Sequence, residues 1–297
     1  VKKLPVGIDI GGTKMMAVAV DVDASDPVVR SVSVPTPDSP SLVVESIIRC
    51  VEELGGASTL GLGLPGLVDA GGVLRAAPNL QCMINVQMKE DLEHALTTLV
   101  KIENDATCAL FAEMQLGVAR SIDDVVLLTL GTGIGGAIAV GGEVHRGAHG
   151  FAGEPGHMRV NPNGPLCVCG RFGCWERYAS GAGLIRMASE HGVLWNEEPP
   201  SGEELARLGR QGDEQAVAVW SEFAQWLAVG LANLADILDP ALFVIGGGLV
   251  DSADLYLEEA RAVFATEVLG GPAREQTRIE PALCGPKSGA IGAALLH

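Results

Sequence analysis

Two short apolar runs, each interrupted by glycines and each resumed as a second apolar run, constrain this chain more than any other feature. The first is Val6-Gly7-Ile8-Asp9-Ile10, followed by Gly11-Gly12-Thr13-Lys14 and the apolar residues 15–20. The second is residues 125–130, followed by Gly131-Thr132-Gly133-Ile134-Gly135-Gly136 and residues 137–140. Short apolar runs bounded by glycine read as buried strands, so each copy is strand, glycine turn, strand. Their matching order and length argue for an internal duplication in which each copy opens one domain. Gly131 to Gly136 has the spacing G-x-G-x-x-G, but the dinucleotide fingerprint needs its last glycine to open a helix. Here an apolar strand comes next, so that reading fails. No G-x-x-x-x-G-K-[ST] phosphate loop occurs either.

A third cluster, Gly246-Gly247-Gly248, comes after an apolar run at 241–245. Asp251-Ser252-Ala253-Asp254 then precede helical spacing over 255–264, which predicts strand, glycine turn, capped helix. Helical spacing also covers 42–54, 91–99 and 106–116, with short strands at 60–64, ending at Pro65-Gly66, and at 100–102. Strands alternating with helices predict an α/β fold with a largely buried sheet. A long helix at 213–238 is expected on the second domain, and a small-residue helix at 289–296 is expected to return to the first. The expected division is 1–108 plus 286–297 for a smaller N-terminal α/β domain, and 109–285 for a larger C-terminal one.

Composition narrows the function classes. With 297 residues, 47% hydrophobic and 19% charged, the chain has material for one large or two medium cores. Twenty Lys+Arg against 37 Asp+Glu give a net charge of −17. That excludes non-specific nucleic-acid binding and docking on anionic lipid, though not a local phosphate pocket. The most apolar long region, 216–245, is broken by Glu222, Gln225, Asn233, Asp236 and Asp239, so it is no membrane span. The residues ahead of the first strand, 1–5, lack the pattern of a signal peptide, so none is expected. A soluble, cytoplasmic protein with no membrane partner is expected.

Glycine turns have a chemical use. Without Cβ atoms the backbone approaches a phosphate closely, and its N–H groups point at the oxygens. A single such turn is ordinary. Two matched turns, with Thr13 and Thr132 at equivalent places and a third cluster opening a helix, point to a nucleotide clamped in a cleft between the domains. Asp9 lies inside an apolar strand, where a carboxylate is costly unless it meets a cation. A hydrated Mg²⁺ beside phosphates would supply one. Asp105, in Glu103-Asn104-Asp105-Ala106, stands at a strand's C-terminal end, where α/β proteins place ligands. Asn104 or Asp105 also suits a helix cap, and one residue can cap while the next faces the cleft.

The seven cysteines are unevenly placed. Cys50, Cys82, Cys108 and Cys284 stand singly among apolar neighbours, as small buried hydrophobes do. Cys167, Cys169 and Cys174 share a loop kinked by Gly170 and Gly173, and His157 precedes them in Glu154-Pro155-Gly156-His157. Three Cys and one His form the donor set of a tetrahedral Zn²⁺ site. A closed four-ligand set is structural, with no open position for catalytic water.

Taken in order, Asp9-Ile10-Gly11-Gly12-Thr13-Lys14, residues 130–136, Glu154-Pro155-Gly156-His157 and the block 167–176 resemble the ROK family of repressors, reading frames and sugar kinases. Within that family the chain is most similar to bacterial ATP-dependent glucokinases. The resemblance covers nearly the whole chain and implies two actin-like (ribonuclease H-like) α/β domains with ATP in the cleft between them. It implies Asp105 as general base, with Asn104, Glu154, His157 and Glu176 holding sugar hydroxyls and Gly66 and Asn79 completing the pocket. Asp105 itself also lines that pocket. His157 would bind zinc through one ring nitrogen and face the sugar with the other. Gly11, Gly12, Thr13, Lys14, Thr132, Gly133, Gly246 and Gly247 would contact the nucleotide. The reaction implied is Mg²⁺-assisted transfer from ATP to O6 of glucose, giving glucose 6-phosphate, in a homodimer or homotetramer. Mannose, N-acetylglucosamine, N-acetylmannosamine or fructose are alternative acceptors, and polyphosphate is an alternative donor. A sugar-sensing regulator is the rival class. Regulators of the family carry a DNA-binding helix-turn-helix ahead of this region, whereas here Asp9 lies close to the start and the charge is acidic.

Overall fold

The computed structural model describes residues 3–274 and 277–296; residues 1, 2, 275, 276 and 297, which the expected domain ranges take in, lie outside the described residues. The chain divides into two compact units. The first runs up to Ser121 and takes in Glu143–Gly153 and the chain from Leu283. The second comprises Ile122–Gly142 and Glu154–Ala282.

In the first unit β1 (Leu4–Ile10) and β2 (Lys14–Val20) form the glycine hairpin, and β3 (Val28–Pro35) pairs antiparallel with β2. After α1 (Pro40–Glu53), β4 (Ala57–Leu64) joins β1 in parallel. A small hairpin of β5 (Leu67–Val68) and β6 (Leu74–Ala76) leads to α2 (Lys89–Leu96). Then β7 (Leu99–Asn104) pairs in parallel with β4 and passes directly into α3 (Asp105–Gln115). The sheet order is β3-β2-β1-β4-β7. Its buried face carries Val6, Ile8, Ile10, Leu60, Leu62 and Val100, packed against Val43 and Ile47 of α1. Each such side chain contributes roughly 1.5–3 kcal/mol of burial.

The second sheet repeats this plan. β8 (Val125–Leu130) and β9 (Ile134–Val140) form the second hairpin, with the two-residue β10 (Glu143–Val144) at its outer edge. The helices α4 (Gly181–Glu190), α5 (Gly202–Gln211) and α6 (Glu214–Leu238) come after it. Next come β11 (Leu242–Gly246), α7 (Leu257–Glu267) and β12 (Arg278–Pro281), with β11 parallel to both β8 and β12. The order is β10-β9-β8-β11-β12, so an antiparallel hairpin flanked by two parallel strands recurs in both sheets. The duplication expected from the glycine clusters is therefore present in the strand order. The long helix α6 starts where Asp213 Oδ1 accepts the Ala216 N–H at 2.9 Å, and it buries Trp220, Phe223 and Leu227 against Tyr256 and Phe264.

The last helix, α8 (Ser288–Ala294), lies in the first unit against α3, β1 and β4. Its small residues permit backbone contact: a Cβ on Gly61 would fall 1.8 Å from Ala293 O, and one on Gly292 would fall 1.6 Å from Cys108 O. Glu113, fully buried on α3, secures the chain on its return. Its carboxylate accepts N–H bonds from Leu283 (2.9 Å), Cys284 (2.7 Å) and Val118 (2.9 Å). Three donors offset the cost of burying that charge. α3 runs unbroken across the position 108/109, so the chain passes into the second unit only at Ile122.

One expected element differs. Residues 248–255 do not cap a helix; they wind as tight 3₁₀ turns kinked at Ser252, and α7 begins only at Leu257. Arg210 holds both Asp254 carboxylate oxygens at 2.7 and 2.9 Å and donates to the Asp251 backbone carbonyl at 2.8 Å, which draws the Asp254 acid away from the helix start. The buried Tyr256, 5.0 Å from the Phe223 ring, fixes where the helix turns.

Candidate active site and metal centre

In the first unit the glycine turn is closed by Gly11 N–H donating to Lys14 O at 2.9 Å. Thr36, just past β3, braces it twice: its N–H donates to Thr13 O (3.0 Å) and its hydroxyl to Gly11 O (2.7 Å). Gly12, Thr13 and Lys14 are exposed. Asn79 lies against the turn, since a Cβ on Gly12 would fall 2.4 Å from Asn79 O. Asp9 sits one residue from the end of β1, paired with Met16 and Gly63. Among the described residues its carboxylate has no hydrogen-bond or ion-pair partner. Burial, and then the charge of Asp105, push its pKa up to about 7. A carboxylate so placed suits a cation brought with the ligand, as Mg²⁺ would be.

Asn104 ends β7 and caps α3, its Oδ1 accepting the Thr107 N–H at 3.0 Å. Its Nδ2 donates to Gly66 O and to Asp105 Oδ1, both at 3.0 Å. Asp105 Oδ1 also accepts the Ala106 N–H at 2.8 Å. Gly66, Asn104 and Asp105 are thus brought together at one strand–helix junction. Burial raises Asp105 to about 6, against the lowering effect of these donors. An acid in that range is ionised at neutral pH yet basic enough to accept a proton.

In the second unit Gly131 N–H donates to Gly133 O at 3.0 Å, closing the matching turn. The start of α4 backs it: Gly181 N–H donates to Gly131 O (2.8 Å) and Ala182 N–H to Thr132 O (3.3 Å). Gly247, with a left-handed φ of 82°, packs on the end of β8, and Gly246 pairs with Thr129. Glu154 precedes the turn Pro155–His157 and accepts the His157 N–H through its carbonyl at 3.2 Å.

His157, Cys167, Cys169 and Cys174 have ligand atoms all within 4.8 Å of one another. His157 Nδ1 is 3.7 Å from Cys167 Sγ, and Cys169 Sγ is 3.5 Å from Cys174 Sγ. Zinc bonds of roughly 2.0–2.3 Å at tetrahedral angles require ligand separations of about 3.5–3.8 Å. The thiols also need a dication. Burial opposes ionisation of Cys169, but its hydrogen bonds from Arg171 and the neighbouring thiols bring it down to about 6. Cys167 is pushed up by burial and by its bond to Glu176, and Cys174 by burial and by Cys169. The donor set therefore fits Zn²⁺ on both geometry and charge.

Glu176 joins this centre to the glycine turn. Its Oε1 accepts from Cys167 Sγ at 2.9 Å and lies 3.8 Å from His157 Nδ1. Its Oε2 would be 2.4 Å from a Cβ on Gly133, so any larger residue there would have to push the Glu176 carboxylate aside. Trp175, wholly buried with its Nε1–H on Trp226 O at 2.7 Å, anchors the loop to α6. Neither Thr36 nor Trp175 stands out in the sequence. Both act on backbone, and an isolated threonine or tryptophan carries no spacing signal.

The pattern that defines the ROK family matches residues 5–297. A glucokinase of Streptomyces coelicolor is 37% identical over 98% of this chain and 96% of its own length. An N-acetyl-D-glucosamine kinase of Pectobacterium atrosepticum is 34% identical over 98% of each. The crystal structure of a ROK family glucokinase from Streptomyces griseus, in complex with glucose and AMPPNP, superposes with a TM-score of 0.85 at 36% identity. It covers 99% of this chain and 98% of that one. The fold is the actin-like, ribonuclease H-like α/β fold that the sequence resemblance implied. Among the described residues no helix is long and apolar enough to cross a membrane.

Proposed function

This chain belongs to the ROK family, and from that premise we propose that it is an ATP-dependent hexose kinase acting on glucose at O6. The observation that carries the reading is Asp105: a half-buried carboxylate raised to about 6, with one oxygen held by Asn104 and the Ala106 N–H. The glucokinase relatives at 36% and 37% identity, one of them bound to glucose and AMPPNP, support ATP and glucose as substrates.

In this reading Asp105 accepts the proton of the sugar hydroxyl as its oxygen attacks the γ-phosphorus in line and ADP departs. Asn104 keeps the carboxylate oriented through its Nδ2 contact. Asn104, Glu154, His157 and Glu176 hold sugar hydroxyls, with Gly66 and Asn79 shaping the pocket. The turns at Gly11, Gly12, Thr13 and Lys14, and at Thr132 and Gly133, with Gly246 and Gly247, present N–H and hydroxyl donors to the phosphates. Catalysis is then mostly positioning and charge stabilisation. Mg²⁺ held through water by Asp9 would supply neutralisation of phosphate charge. Zn²⁺ on His157, Cys167, Cys169 and Cys174 would brace the sugar-facing ring of His157 from behind. Cytoplasmic location and a homodimer or homotetramer complete the proposal.

ADP release with Mg·ATP, measured across glucose, mannose, fructose, N-acetylglucosamine and N-acetylmannosamine, tests it. Fastest turnover with glucose is expected. Fastest turnover with N-acetylglucosamine would align the chain with its 34%-identical relative instead. No turnover by folded, zinc-loaded protein would refute the kinase reading.

A further inference from the structure

After β10, the rest of Glu143–Gly153 has no helix or strand. Gly147, Gly150 and Gly153 all have left-handed φ values of 71°, 88° and 95°. One backbone bond spans the segment, from Ala152 N–H to Arg146 O at 3.1 Å. Such a segment is held mainly by what it touches. Gly150 lies on the backbone after β5, where a Cβ would fall 2.8 Å from Val68 O. The second anchor is Arg146. Its Nε donates to Glu103 Oε2 at 2.5 Å, and its guanidinium lies 5.8 Å from the centre of the Phe111 ring.

Both partners of Arg146 belong to the machinery of the strand–helix junction. Glu103 immediately precedes Asn104 on β7, and its other oxygen, Oε1, accepts the Asn104 N–H at 3.2 Å. Phe111 lies on α3, the helix that Asp105 begins. The charges also converge. Cys108 is pushed well up first by burial, then by Glu103, Asp9 and Asp105, while Arg146 acts in the opposite sense. Cys108, on the first turns of α3, thus feels all three acids, and Arg146 is the cation paired with one of them, Glu103. An exposed ion pair is worth little. Here Arg146 is 42% exposed but Glu103 only 14%, and the charge-assisted bond is joined by a cation–π contact with Phe111.

We propose that Arg146 is a positioning residue for phosphoryl transfer: through Glu103 and Phe111 it straps Glu143–Gly153 to the junction that presents Asn104 and Asp105. The inference rests on the kinase reading above and adds a residue to it. The strapped segment runs in sequence directly into Glu154. Without Arg146, the largely buried Glu103 would lose its cation, and its hold on the Asn104 N–H would slacken.

The test compares Arg146→Met, Glu103→Gln and the double variant, with Arg146→Lys as the milder change. Hydrogen–deuterium exchange over 145–153 is read on zinc-loaded protein without substrate, beside thermal melting and steady-state kinetics. Arg146→Met is expected to speed exchange in that segment about tenfold, with little change elsewhere. Glucose KM should rise about fivefold and kcat fall less. Glu103→Gln should do the same, and the double variant should be no worse than the stronger single one. Arg146→Lys should keep part of the protection, giving a reading even if Arg146→Met melts early. Wild-type exchange in Arg146→Met or Arg146→Lys overturns the strap. So do effects that multiply in the double variant, or faster exchange with unchanged kinetics. Absence of turnover in the unmodified protein would overturn the kinase reading alone, because exchange reads the strap without substrate.

Discussion

The two glycine turns have the same strand frame and different supports. The first, Gly11 to Lys14, is braced by Thr36 and lies at the end of the strand that carries Asp9. The second, Gly131 to Gly133, is braced by the α4 N-terminus and lies beside Glu176, whose other oxygen reaches the metal-type cluster. The difference teaches how a duplicated scaffold divides labour. Sheet order is kept in both copies, because hairpin and crossover geometry dictate it. Chemistry diverges in the segments attached to the strand ends. The first copy places carboxylates there, suited to proton transfer. The second inserts a loop of three cysteines and a histidine, suited to holding other groups still.

The largest expected effect breaks the comparison on its acidic side. Asp105→Asn should lower kcat by roughly 10²–10⁴-fold, seen as ADP release under saturating glucose. The same variant should be more stable at alkaline pH. Asp105 and Asp9 are raised to about 6 and about 7 in the fold, above the value of 3.8 for an unperturbed Asp. The fold therefore binds more protons than the unfolded chain between those limits, and stability falls as pH rises through them. These two acids favour melting higher at pH 5 than at pH 8, and in the metal-free form Cys169, lowered to about 6, acts against them. Asp105→Asn should flatten that slope.

Cys174→Ser attacks the other side. Loss of one ligand should weaken zinc retention by at least about 10–100-fold, read by metal analysis after dialysis against a chelator. Glucose KM should rise while the Asp105 chemistry survives at saturation. Gly133→Ala sharpens the contrast further. Its Cβ meets Glu176 Oε2, so both ATP and glucose KM should rise, roughly tenfold for ATP. The smallest effect belongs to Thr36→Val, which removes one hydroxyl bond to Gly11 O. About 0.5–1.5 kcal/mol is at stake, so ATP KM should rise a few-fold with zinc content unchanged. A loss of zinc in Thr36→Val would undo the division of labour.

Much of the fold and site is legible in the sequence because it is periodic or clustered. The hairpins, the helix 213–238, seen as α6, and the Cys–His set all announce themselves by spacing. The strand β3 escapes such reading because Val28–Pro35 alternates partly buried and exposed positions at an edge, with serines between the valines. The helix cap expected at 251–254 does not form because Arg210, distant in sequence, takes the carboxylate of Asp254. Thr36, Trp175, Glu113 and Arg146 act through bonds to partners distant in sequence, and such partners leave no mark in a single chain.

The most direct test of the central claim is calorimetric titration of glucose into zinc-loaded Asp105→Asn beside the unmodified protein. The account predicts affinity within a few-fold of the original while turnover is lost, because Glu154, His157 and Glu176 hold the sugar and Asp105 moves its proton. Affinity falling in step with turnover would contradict it, and would make Asp105 a sugar anchor rather than the base.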